Sequence, residues 1–161
     1  NTLDKINDHY LQINSDYIGC IDDTCLATGE LLPVKDTPFD FNKRKRIGQD
    51  LEADHIQLKN AFGYDHSFVL NGTENQLTLE EPVSGRRLII STTAPVVQVY
   101  TGNFLKDGCI GKAGRVYENR EGVALETQLM PNAINTEENP STILRKGDKF
   151  ESNTKYVFEI M

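Results

Sequence analysis

No stretch of this 161-residue chain approaches the roughly 20 consecutive apolar residues of a membrane-spanning helix. The opening residues, Asn1-Thr2-Leu3-Asp4-Lys5, lack signal-peptide character and include no initiator Met. Basic charge is in deficit, with 17 Lys and Arg against 24 Asp and Glu, a formal net charge of −7. An acidic chain repels phosphate backbones, which argues against nucleic acid as a partner. The single basic run, Lys43-Arg44-Lys45-Arg46, lies between Asp40 and Asp50 and reads as a solvated loop. Cys20, Cys25 and Cys109 show no metal-ligand spacing, and His9, His55 and His66 are too scattered for a zinc site. A Cys20–Cys25 disulfide and reduced thiols are both compatible with the spacing. Reduced thiols would go with a cytoplasmic protein. Hydrophobic residues make up 38%, a low share that suggests a surface-rich fold or a piece of a larger one. Internal repeats and low-complexity linkers are missing, and nothing marks a domain boundary.

What the chain does contain is strand signal. Tyr10 to Asn14 alternates apolar and polar residues, as a half-buried strand does, and Asp65 to Leu70 reads as another. Asn75 to Leu79 and Arg87 to Thr92 flank Pro82-Val83-Ser84-Gly85, a turn sequence that predicts a hairpin. Val96 to Thr101, Val123 to Leu129 and Thr154 to Ile160 complete a set of short strands. Such a set predicts an all-β sandwich or barrel. One or two helical turns are expected between Ile47 and Leu58, where Ile47, Leu51 and His55 lie four apart. Thr28 to Pro38 and Pro131 to Pro140 read as long loops.

Three polar residues interrupt these apolar strands: Asp65, Gln98 and Glu126. A carboxylate within a strand costs free energy unless water, a partner or a ligand compensates it. Alternation puts Val96, Gln98 and Tyr100 on one face, and Ala124, Glu126 and Gln128 on one face. Taken singly, each is explained by a solvated sheet face. Together, polar groups with an aromatic among them suit a neutral sugar. Its hydroxyls can bond to carboxylate and amide while its apolar face lies on the ring.

Several blocks resemble the C-terminal half of the aldose 1-epimerase, or galactose mutarotase, family. They are Thr28-Gly29-Glu30-Leu31 with Asp36-Thr37-Pro38-Phe39-Asp40-Phe41, and Gly63-Tyr64-Asp65-His66. Gln98-Val99-Tyr100-Thr101-Gly102-Asn103-Phe104-Leu105 and Leu125-Glu126-Thr127-Gln128 follow. The closing pattern is Pro131-Asn132-Ala133, Pro140-Ser141 and Leu144-Arg145-Lys146-Gly147-Asp148. The last two strand blocks are specific in combination.

The resemblance implies an all-β fold, a large twisted antiparallel sandwich of the galactose mutarotase type. Residues 1–161 would be the C-terminal part of that single domain. It implies interconversion of the α and β anomers of a free aldohexose such as galactose or glucose. Glu126 would be the general base, and Asp65 and Gln98 would bind the sugar. The three would converge on a single pocket, with Glu126 partly buried among apolar strand neighbours. The family's general acid is a His in an Asn-His-Xaa-Tyr-Phe-Asn segment of the first half, which this chain does not contain. The acid would therefore come from the N-terminal half, which is expected as a partner. His9 and His66 are read instead as a surface and a packed histidine. Mutarotation transfers only protons, so no metal or organic cofactor is expected. The alternative is a non-catalytic carbohydrate-binding sandwich module. An epimerase of hexose 6-phosphates ranks last, because only Arg86 and Arg87 lie near the motifs.

Overall fold

The computed structural model describes residues 5–106, 110–112, 114–136 and 142–161. Cys109, Pro140 and Ser141 lie outside them. Ten strands form two antiparallel five-stranded sheets. One sheet contains β1 (Tyr10–Ile13), β4 (Lys45–Arg46), β6 (Leu77–Glu81), β7 (Arg86–Thr92) and β10 (Thr154–Ile160), in the order β10-β7-β6-β1-β4. The other contains β2 (Ser15–Ile21), β3 (Ala27–Pro33), β5 (Asp65–Leu70), β8 (Val96–Tyr100) and β9 (Ala124–Gln128), in the order β3-β2-β5-β8-β9. Only Asn14 separates β1 from β2, so the chain turns a corner there and passes from one sheet to the other.

The expected β-sandwich is therefore what the chain forms. Leu11, Ile13, Leu77 and Ile90 from the first sheet meet Ile18, Phe68, Val97 and Val99 from the second in one buried core. Burying each such side chain contributes about 1.5–3 kcal/mol. The Phe39–Phe41 segment closes one end. Phe39 packs edge-on against Tyr64 and His66, with ring centroids 5.4 and 4.7 Å away.

The predicted hairpin is β6–β7, with Glu81 opposite Arg86 across the Pro82–Gly85 turn. Its first strand starts at Leu77, later than the alternation suggested, and the side chain of Gln76 just before it donates to the Gly72 and Thr92 carbonyls. Three readings need correction. Residues 27–33 are an edge strand, not loop: Gly29 and Pro33 look like punctuation, but pairing with β2 overrides them and Pro33 sits at the strand end. The expected helical region splits into a 3-10 turn at Ile47–Gln49 and helix α1 at Ile56–Ala61. The His55 side chain caps α1 by accepting from the Gln57 N–H, so the helix starts later and runs past Leu58. The basic run is not simply solvated either. Arg44 pairs with Glu80, Lys45 with Asp50 at 2.8 Å and Arg46 with Asp8 at 3.1 Å, which ties β4 to its surroundings. Among the described residues no helix is long and apolar enough to cross a membrane.

Candidate functional site

The second sheet has two unlike faces. Its inner face carries His66, Phe68, Val97 and Val99, all buried. Its outer face carries the polar residues, because the register aligns them. Ser67 on β5 lies directly opposite Gln98 on β8, and Gln98 lies directly opposite Glu126 on β9. Opposed residues of antiparallel strands have Cβ atoms about 4.5–5.5 Å apart, so these three side chains form one row. In the next row Asp65, Tyr100 and Ala124 face one another.

The rows are joined by hydrogen bonds. Gln98 Nε2 donates to Asp65 Oδ1 at 2.7 Å. Gln98 Oε1 accepts from the Ser67 hydroxyl. Asp65 is half-buried, and its carboxyl is raised above the ordinary value of 3.8 chiefly by that burial, with the Gln98 bond pulling the other way. On the other side of the central row, Val96, Met130 and Ala133 form a small buried cluster backed by Val69. The Met130 sulfur fills the space over Gly19, where a Cβ would come within 3.1 Å of it. Along the face run an apolar wall, a row of hydrogen-bonding groups and the Tyr100 ring. The Tyr100 hydroxyl accepts from the Phe104 N–H at 2.9 Å, which holds the following loop against the ring.

Asp65, Gln98 and Glu126 thus stand together, but on an open sheet face and not in an enclosed pocket. A cavity of about 720 Å³ lies nearby, lined by Phe62, Phe104 and Arg120 among others and by none of the three. Hydrogen-bonding chemistry marks the polar row more strongly than concavity marks that cavity. The expected partial burial of Glu126 does not hold, since its side chain is exposed. The cause is its place on β9, an edge strand with no neighbour on its far side among the described residues.

His66 behaves as expected of a packed residue. Its Nδ1 accepts from the Asp65 N–H at 3.0 Å, and its Nε2 lies 3.2 Å from Gln57 Oε1. Burial is the main cause that lowers its pKa to about 3, so the ring is neutral and donates from Nε2 to Gln57. His66 points away from the polar row and can offer it no proton. His9 is half-buried before β1, beside a cavity of about 230 Å³ that Glu81, Arg86 and Phe158 also line. Arg86 and Arg87 belong to the other sheet and are engaged by Glu81, Glu80 and Glu159, so they offer nothing to a phosphate at the row. Cys20 and Cys25 are free thiols, and no metal-binding cluster occurs among the described residues. The sequence reading missed Ser67, although the same alternation that selects Asp65 places position 67 on its face.

The model of the family described as aldose 1-epimerase matches residues 1–157. The chain belongs to the aldose 1-epimerase family. It is 38% identical over 159 residues to the galactose mutarotase of Homo sapiens, covering 97% of this chain and 45% of that protein. With the aldose 1-epimerase of Haemophilus influenzae the identity is 33% over 159 residues, covering 96% and 46%. A solved aldose epimerase homologue from C. elegans superposes with a TM-score of 0.86 at 29% identity, over 97% of this chain and 47% of that one. The galactose 1-epimerase of Lactobacillus acidophilus gives a TM-score of 0.68 at 27% identity, covering 97% and 45%. This aldose 1-epimerase family chain therefore spans about half the length of the curated relatives it matches. Its two packed antiparallel sheets are the architecture that these solved structures share.

Proposed function

We propose that this chain is the C-terminal part of an aldose 1-epimerase that interconverts the α and β anomers of a hexose such as galactose or glucose. The observation that carries the reading is the side-by-side placement of Asp65, Gln98 and Glu126 on one sheet face. Ring opening needs a proton taken from the C1 hydroxyl and a proton given to the ring oxygen. Glu126 takes the first. Asp65 and Gln98 hold hydroxyls so that C1 faces Glu126. Each well-placed proton transfer contributes about two to four orders of magnitude in rate. The acid that protonates the ring oxygen comes from polypeptide outside this chain, since His66 is neutral and turned inward. Bond rotation and closure on the other face reverse the two roles. The chemistry moves protons only and calls for no metal or organic cofactor.

The sandwich itself supports a missing partner. Both sheets end on the same side, where Thr127 Oγ1 of β9 lies 3.0 Å from Thr154 Oγ1 of β10. Beyond that contact the core-facing side of β10 is uncovered, with Phe158 and Ile160 78% and 75% exposed. An N-terminal half, as the doubled length of the relatives suggests, would pair with these edges, cover the apolar side chains and desolvate Glu126. The free thiols favour a cytoplasmic setting.

The test uses the full-length protein that carries this chain. Glu126→Gln should bind galactose by calorimetry and leave fresh α-galactose relaxing at its uncatalysed rate in a polarimeter. A near-normal rate would reject Glu126 as the base. Wild-type protein that binds galactose without speeding its mutarotation would favour the carbohydrate-binding module instead.

A further inference from the structure

Ser67 is the one member of the polar row to which the proposed chemistry gives no task. It is buried, and its hydroxyl spends its only hydrogen on Gln98 Oε1. The direction of that bond follows from the rest of the row. An ionised carboxylate only accepts, so Asp65 draws the Gln98 amide nitrogen to its Oδ1 at 2.7 Å. The amide oxygen must then face the other way, towards Ser67, and the hydroxyl must donate. Without Ser67 the amide is held at one end only and can turn about its terminal bond, where the torsional wells are broad.

We propose that Ser67 is a positioning residue for sugar recognition. By holding Gln98 Oε1 it sets the amide plane, so that the second Gln98 N–H and the second Asp65 oxygen stand side by side on the open face. One donor beside one acceptor matches two neighbouring hydroxyls, the first accepting and the second donating. This deepens the proposed sugar site and rests on that reading for its ligand. The clamp itself rests only on the hydrogen bonds of the row.

The experiment compares Ser67→Ala, Gln98→Ala and the double variant in the full-length protein, with two readouts. The first is the NMR signal of the Gln98 side-chain NH2, which needs no catalysis. In the wild type its two protons should be well separated and slow to exchange, and in Ser67→Ala they should move towards solvent-like values. The second is steady-state mutarotation of α-galactose. Ser67→Ala should raise KM about tenfold, the effect of one lost buried hydrogen bond, with kcat within about twofold. In the Gln98→Ala background the serine substitution should have no further effect on KM. An unchanged Gln98 NH2 signal in Ser67→Ala overturns the clamp. So does a KM effect that persists in full without the glutamine. Wild-type protein with no mutarotase activity would count against the proposed function alone, and the NMR readout would still decide on Ser67.

Discussion

Asp65 shows how a single residue can be kept for its chemistry at a cost to the fold. It is half-buried, and burial raises its carboxyl. For an acid, a raised folded-state pKa means that folding favours the protonated form. Stability is then greatest below the ordinary value of 3.8 and falls as pH climbs through the raised one. At neutral pH the charged side chain is a net burden that the Gln98 bond only partly offsets. Asp65→Asn should therefore raise the thermal midpoint at pH 7 while weakening galactose binding about tenfold or more, the loss expected for a hydrogen bond to a charge. Calorimetric melting and titration on the same samples check both halves. A variant that lost stability together with affinity would show that Asp65 is structural. His66, its neighbour in sequence, is the opposite case: a titratable group made inert by burial and by a hydrogen bond at each ring nitrogen.

Among the elements, the β6–β7 hairpin carries its own acid sensitivity. The Glu81 carboxylate accepts from the Ser84 and Val83 N–H groups, each at 2.8 Å, and so caps the turn. Those bonds, with that to the Ser84 side chain first, hold the Glu81 pKa down at about 2. A depressed acid contributes stability that is present above its ordinary value of 4.5 and is lost as pH falls towards about 2. Glu81→Gln should melt at a lower temperature than wild type at neutral pH, and the gap should close across that acid window. A gap that stays constant with pH would show that the carboxylate's charge has no part in the turn. The turn was legible in the sequence because Pro82 and Gly85 impose it locally, whereas the role of Glu81 depends on how the turn folds back. Strand β3 was not legible. Its Gly29 and Pro33 argue locally for a loop, and only the hydrogen-bonding edge of β2 makes them a strand.

On the scale of the whole molecule, the sandwich is open along one side. Edge strands with exposed core-facing apolar groups pair with whatever strand they meet. The chain expressed by itself should therefore self-associate, driven by the side that exposes Phe158 and Ile160. Phe158→Glu should reduce that association, as read by sedimentation, and should impair assembly with an N-terminal half supplied in trans. Monodisperse, cooperatively melting wild-type chain would contradict the expectation.

Seven of the ten strands, the hairpin and the face on which each residue of those strands points were set by the sequence alone, while β2, β3 and β4 were not. They depend on the two-residue period of an extended backbone and on Pro and Gly at one turn, both local properties. The family resemblance named Asp65, Gln98 and Glu126 but could not show what surrounds them. Only the tertiary structure decided that β5, β8 and β9 are neighbours in a register that lines up Ser67, Gln98 and Glu126. It also left Glu126 exposed and turned His66 inward. These outcomes depend on which strand edges find each other across long loops, and on which side of the sandwich remains uncovered, and no short window of sequence contains either.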